Sequence, residues 1–155
     1  MFRTATGRVR CFRESNVPKL MEVYKLGNEI EEPKGELALR TLAMPADANP
    51  AGDIFGGWLL AQMDIAGGIS AKQRARVRVA TVAINSMTFH KPVHVGDVLC
   101  CYTNIERVGT TSITIRIQAW VVRQYFSEER IKVTEGEFSY VAIDEDRRPC
   151  PLPDQ

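Results

Sequence analysis

Asn49-Pro50-Ala51-Gly52-Asp53-Ile54-Phe55-Gly56-Gly57-Trp58-Leu59-Leu60-Ala61-Gln62-Met63-Asp64-Ile65-Ala66-Gly67-Gly68 is a turn signal that runs into a long apolar stretch with one carboxylate in its middle. From Asp53 or Phe55 to about Arg76 the spacing is helical: Phe55, Leu59, Met63 and Ala66 fall on one face, with Ile69 near it. Trp58, Leu60, Ile65 and Ala71 widen the apolar surface beyond one stripe, which predicts a buried helix. Asp53 is a good N-cap type whose charge suits the positive end of the helix dipole, and Lys72, Arg74 and Arg76 suit the negative end. Gly67 and Gly68 each cost such a helix about 1 kcal/mol relative to Ala, which predicts close approach of another backbone, from a sheet or a second subunit.

No Lys or Arg lies within seven residues of Asp64 on either side. Burying an unpaired carboxylate costs on the order of several kcal/mol unless it is hydrogen-bonded or neutralised. A carboxylate kept at the centre of an apolar helix is therefore a candidate functional group. On the residues alone, the alternative is that Asp64 caps a neighbouring element or pairs with an arginine from another subunit.

Outward from the helix, residues 36–43 alternate partly, with Leu37, Leu39 and Thr41 on one face of a first strand. Residues 77–89, 98–108, 111–126 and 131–143 also read as strands. In the third of these Ile113, Ile115, Ile117, Ala119 and Val121 alternate with Thr114, Arg116 and Gln118. His94-Val95-Gly96-Asp97 and Gly109 mark turns, and residues 127–130 a charged loop. Short connections imply an antiparallel meander. A lone apolar helix has only that sheet to cover it. The fold class is α+β: a curved antiparallel sheet of about five strands around a long central helix. One sheet edge and the helix start stay uncovered, and dimerisation through that edge would give a larger continuous sheet.

A chain of 155 residues predicts one domain. Glu31-Glu32-Pro33-Lys34-Gly35 is a polar hinge that separates residues 1–34, an extension, from a domain at 35–153. The first twenty residues carry Arg3, Arg8, Arg10, Arg13 and Lys19 against Glu14 but no clean apolar run, which argues against a secretory signal. They read as a disordered tail or a wrongly assigned start, with Met21 as the alternative start. A net charge of +1 gives no support for nucleic acid or an acidic membrane surface as partner. Asp64 interrupts the longest apolar stretch, so no membrane span is expected. Cys11, Cys100, Cys101 and Cys150 form no CxxC pair or Cys/His cluster, so no zinc site is expected. They read as small apolar filler in a reducing cytoplasm, Cys100 and Cys101 pointing to opposite faces of a strand.

Leu39-Arg40-Thr41-Leu42-Ala43-Met44-Pro45, Gly52-Asp53-Ile54-Phe55-Gly56-Gly57-Trp58, Gln62-Met63-Asp64, Met87-Thr88-Phe89, Pro92-Val93, Val95-Gly96-Asp97-Val98, Gly109-Thr110-Thr111-Ser112-Ile113 and Tyr140-Val141-Ala142 follow one another along the domain. On these stretches the chain from about Gly35 to Pro153 resembles the hotdog-fold acyl-CoA thioesterases, most closely the bacterial YciA-type acyl-CoA hydrolases. The resemblance implies a central helix wrapped by a sheet and paired subunits with sites at their interface. It often implies a trimer of dimers, a hexamer. It implies hydrolysis of acyl-CoA to CoA and a carboxylic acid. Asp64 matches the family's helical catalytic aspartate, and Asp53 the position facing it across the dimer interface. Related sequences often have Asn where this chain has Ala51, a role Asn49 can take.

A thioester needs only an activated water or nucleophile, and donors for the developing oxyanion. Poorly solvated in an apolar setting, Asp64 would gain basicity. It then serves as general base on water or attacks the carbonyl to give an anhydride. Gly56 and Gly57 sit in the first helical turn, where N–H groups lack helical partners and a carbonyl oxygen can approach. Gly57 joins Asp64 and Asp53 as a catalytic candidate. For CoA, the turn of Arg107, Gly109, Thr110, Thr111 and Ser112 offers a cation, a glycine and three hydroxyls for phosphate or pantetheine contact. Lys91, Arg74 and Arg76 are further phosphate candidates, and Asn49 and Gly56 complete the substrate-binding set. No metal or redox cofactor is expected, since coenzyme A is part of the substrate.

His90 and His94 flank Lys91-Pro92-Val93. The dehydratase branch of the same fold places its histidine before or at the start of the central helix. No His occurs between Met1 and Phe89, so both histidines read as structural or peripheral. The alternative to an enzyme is a non-catalytic acyl-CoA-binding hotdog sensor. It would need a partner- or DNA-binding element. The basic N-terminal segment is the one candidate, and it is short and lacks helix-turn-helix patterning.

Overall fold

The computed structural model describes residues 31–123 and 129–153, so the expectations for residues 1–30 of the extension, Cys11 among them, and for residues 124–128 lie outside the described residues. The period-two run at Ile113, Ile115, Ile117, Ala119 and Val121 decides the inner face of the sheet. All five side chains are fully buried. They pack with Leu59, Met63 and Ala66 of the helix in one core.

The elements are β1 (Glu36–Leu42), a short 3-10 turn (Pro45–Asp47), α1 (Gly56–Ala75), β2 (Arg78–Phe89), β3 (Val98–Val108), β4 (Ser112–Val122) and β5 (Arg130–Ile143). The α+β expectation of one long helix on a five-stranded antiparallel sheet holds. The strand order, β1-β3-β4-β5-β2, departs from a full meander. Only β3, β4 and β5 follow one another. β2 crosses to the far edge and pairs with β5, because β3 already has β1 and β4 as neighbours. The crossing is fixed at its start, where His90 and Lys91 donate their amides to the Val133 carbonyl at 2.8 and 3.3 Å.

The helix is covered on one side only. Leu59, Met63, Ala66, Gly67, Ala71 and Ala75 are buried. Phe55, Ile65 and Ile69 are 52%, 50% and 39% exposed, so the protomer does not enclose the helix all round as its composition predicts. On the edge strand β2, Val82 and Ile84 are exposed too. Asp53 is not the N-cap. Phe55 holds that position without a side-chain bond, and Asp53 is drawn two residues upstream into a bridge with His94. The glycine pair also has another reason than backbone contact. A Cβ on Gly67 would run into the Tyr140 hydroxyl and lie 2.6 Å from Ile117 Cδ1, both side chains of the sheet, whereas Gly68 has nothing within 4 Å.

Leu37 does not share a face with Leu39 and Thr41. The pairing with β3 shifts between Leu37 and Leu39, and this bulge leaves Leu37 46% exposed. β4 ends at Val122, since Arg123 leaves the ladder to hold Asp97, and the rest of the stretch expected as strand to Phe126 lies outside the described residues. Cys101 lies in the main core and Cys100 on the other face with Tyr102 and Trp120, as the alternation requires. Burial pushes the Cys101 thiol up to about 12, which makes it inert.

The loop in front of α1 is anchored by a buried carboxylate. Asp97, only 2% exposed, accepts the His94 amide at 2.9 Å and the Arg123 guanidinium at 3.1 to 3.3 Å. Arg123 also donates to the Pro92 carbonyl at 3.0 Å. Ile54 in turn donates its amide to the Val93 carbonyl at 3.0 Å, so the start of the helix is tied to this network.

Candidate active site

Asp64 leaves the middle of α1 toward the junction of β2 and β5. Thr81 Oγ1 donates to Asp64 Oδ1 at 2.7 Å. The Tyr140 hydroxyl lies 3.2 Å from the Asp64 carbonyl and 3.4 Å from the same Oδ1. Thr81 and Tyr140 are direct partners across β2 and β5, so the two donors arrive together by register. Burial, with the negative charge of Asp64 adding to it, pushes the Tyr140 phenol well above its ordinary range, and it stays a donor. Asp64 is half-buried and hydrogen-bonded, not enclosed in an apolar interior as its sequence setting predicts. Its Oδ2 has no hydrogen-bond partner, and no cation pairs with it, among the described residues.

The helix start and the β2–β3 connection enclose a cleft of about 340 Å³. Its walls are Ile54, Leu59, Phe89, Pro92 and Val93, with Gly56, His90 and Lys91 completing the lining. The first bonded helical amides are those of Trp58 and Leu59, both to the Phe55 carbonyl. The amides of Gly56 and Gly57 have no acceptor among the described residues. A Cβ on Gly56 would lie 3.5 Å from the Phe89 ring, and one on Gly57 would meet open space. Two unpaired N–H groups at a positive helix end, with nothing crowding them, form a receptor for an oxyanion.

Asn49 Oδ1 accepts the amides of Ala51 and Asp53 at 2.9 and 3.2 Å, so this acceptor shapes the loop. Asp53 Oδ1 lies 3.2 Å from His94 Nδ1, both side chains about half exposed. Of the two roles expected for the histidines the contacts fit the structural one: His94 holds Asp53, and His90 lines the cleft with Nε2 3.5 Å from Glu135.

The turn of Arg107, Gly109, Thr110, Thr111 and Ser112 lies elsewhere. It is closed by Gly109 donating to the Ser112 carbonyl, and Leu152 and Ala142 donate to the carbonyls of Thr110 and Thr111. Ser112 pairs with Val141, whereas the cleft borders Thr134, the partner of Phe89. Seven strand residues separate the two, roughly 23 Å at strand rise. Arg74 and Arg76 sit at the far end of α1 from Gly56. Within one protomer Asn49, Asp53, Gly56, Gly57 and Lys91 cluster at the helix start. Asp64 follows about 10 Å along the helix axis at helical rise. Thr81, Tyr140 and Phe89 were not singled out by their sequence setting. Phe89 and Tyr140 stand in stretches that carry the resemblance, and Tyr140, a phenol on the inward face of a strand, carried the further signal that a buried hydroxyl needs a partner.

Among the described residues, no group of three or more His, Cys, Asp or Glu could hold a metal ion, and no helix is long and apolar enough to cross a membrane.

The sequence profile of the thioesterase superfamily matches residues 51–125. The acyl-CoA thioester hydrolase YciA of Salmonella typhimurium is 58% identical over 126 residues, which cover 79% of this chain and 94% of that protein. The hexameric thioesterase y2039 from Yersinia pestis is 54% identical in sequence and superimposes with a TM-score of 0.74, over 80% of this chain and 100% of that one. The structure of HI0827, a hexameric broad specificity acyl-coenzyme A thioesterase, is 49% identical with a TM-score of 0.75, over 81% and 86% of the two chains. With a relative 58% identical over 79% of its length, the chain belongs to the thioesterase superfamily, as a hotdog-fold member of its YciA-type acyl-CoA thioester hydrolases.

Proposed function

We propose that this protein hydrolyses acyl-CoA thioesters to free CoA and a carboxylic acid, with Asp64 driving the attack. The observation that carries the role of Asp64 is the asymmetry of its carboxylate: Oδ1 is held by Thr81 and Tyr140 while Oδ2 is open. Oδ2 takes a proton from water, and the resulting hydroxide adds to the thioester carbonyl. Alternatively Oδ2 itself adds, forming a mixed anhydride that water then opens. In either route the carbonyl π electrons move onto oxygen, where the Gly56 and Gly57 amides receive the charge. Collapse expels CoA as its thiolate, which takes up a proton. A single turnover in ¹⁸O-labelled water that leaves label in the peptide containing Asp64 establishes the anhydride, because general-base hydrolysis puts all the label in the product acid.

The cleft and Asp64 come from one protomer, but the uncovered side of α1 and the free edge of β2 favour pairing of two copies. Their facing places Asp64 of one copy toward the glycine amides and Asp53 of the other. A trimer of such dimers matches the hexameric state of the two solved relatives. Lys91 at the cleft and the Arg107–Ser112 turn from the second copy serve the CoA phosphates and pantetheine. No metal takes part, so EDTA leaves turnover unchanged, and the site of action is the cytoplasm.

Thiol release from a panel of acyl-CoAs tests the reading. Wild type releases CoA, and Asp64→Asn, which keeps an acceptor for Thr81 but loses basicity, slows release about a thousandfold. Binding without release by wild type would replace the hydrolase with an acyl-CoA sensor.

A further inference from the structure

At the back of the cleft a hydroxyl is buried without a partner. Thr134 is 0% exposed, and its Oγ1 has no hydrogen-bond partner among the described residues. Such orphans are rare in folded proteins, because the lost bond to water is not replaced. Register fixes which way Thr134 faces. It is the direct partner of Phe89 on β2 and of Ala119 on β4, and paired residues share a face of the sheet. Phe89 lines the cleft, and Ala119 belongs to the core beneath α1. The neighbouring Val133 carbonyl accepts the amides of His90 and Lys91, two further lining residues. Thr134 thus stands directly behind the cleft wall, polar where Ile54, Leu59 and Val93 are apolar.

An alkyl chain in this cleft gains contact with the apolar wall but leaves the hydroxyl unpaired. A chain that carries its own oxygen pairs it. We propose that Thr134 is a specificity-determining residue that favours acyl thioesters bearing a hydroxyl or keto oxygen over the unsubstituted chain. The half-exposed ring of Phe89 is the movable part of the wall that admits this oxygen. The inference rests on the thioesterase reading, and its test separates the two.

Thr134→Val removes the hydroxyl with almost no change of shape. The ratio of kcat/KM for 3-hydroxybutyryl-CoA over butyryl-CoA is expected to fall about five- to tenfold in Thr134→Val and to persist in Thr134→Ser, the worth of one neutral hydrogen bond. The same pair of thioesters is titrated calorimetrically into Asp64→Asn and into Asp64→Asn with Thr134→Val, where hydrolysis is blocked. The ratio of Kd values should shift equally. Ratios unchanged by Thr134→Val in both measurements overturn the inference. Absence of CoA release by wild type overturns the thioesterase reading instead, and the calorimetric ratio still decides the role of Thr134.

Discussion

Thr81 Oγ1 lies 2.7 Å from Asp64 Oδ1, joining the edge strand to the central helix through the carboxylate. This hydroxyl fixes the rotamer of Asp64 and leaves Oδ2 to the reaction. Thr81→Val is therefore expected to lower kcat about tenfold or more while KM stays within a few-fold, as removal of a positioning bond does. Steady-state kinetics on a saturating acyl-CoA check it. A rise in KM alone would assign Thr81 to binding.

Gly67 and Gly68 should answer oppositely to the same substitution. Gly67→Ala drives a methyl into the Tyr140 hydroxyl and Ile117, and overpacking of this kind costs about 1–3 kcal/mol. It also displaces Tyr140 from Asp64, so activity falls with stability. Gly68→Ala enters open space and gains up to about 1 kcal/mol of helix propensity. Urea unfolding of both variants measures this, and a loss at Gly68 would mean that a second copy packs on it.

Removing Arg123 strands a carboxylate. Asp97 is 2% exposed, and without the guanidinium only the His94 amide would remain among the bonds described. Arg123→Met is expected to cost about 3 kcal/mol, near the low end for a broken buried pair since Arg123 is partly exposed. The double variant with Asp97→Asn should recover part of the loss, read as a denaturation midpoint.

Glu135 supplies an acid-labile increment of stability. The Lys132 ammonium at 2.8 Å, helped by His90, holds its carboxyl below the ordinary 4.5 despite partial burial. A carboxyl lowered in the folded state stabilises fully above its unfolded value, and the gain is lost as pH falls through the lowered one. The Tm difference between wild type and Glu135→Gln should therefore be constant near neutrality and close up only in acid below 4.5. A difference that closed on going alkaline from pH 7 would refute the assignment.

What the sequence made legible was local. Alternation placed Ile113 to Val121 on the inner face, and the spacing from Phe55 to Ala66 placed the helix. The residues quoted around Asp64 carried the family. Pairings across the sheet were not legible, because a short connection such as residues 90–97 reads alike whether it turns back as a hairpin or crosses to another edge. The donors to Asp64 come from 17 and 76 residues away, separations that no local period reports. Asp53 misled for a related reason. Its type suits a cap, but the bridge to His94 outcompetes that role, and a backbone pairing between two loops leaves no trace in spacing.

The pairing of β2 with β5 bears on how the protein is made. Residues 56–89 leave the ribosome before the strand that will hold them exists, and Thr81 can meet Tyr140 only once β5 has been made. Until then a nascent chain carries its helix with the carboxylate unrestrained and an apolar face with no sheet to cover it. A truncated product ending before β5 should consequently be both inactive and a client for chaperones, so β5 acts as a check that the sheet has been made whole.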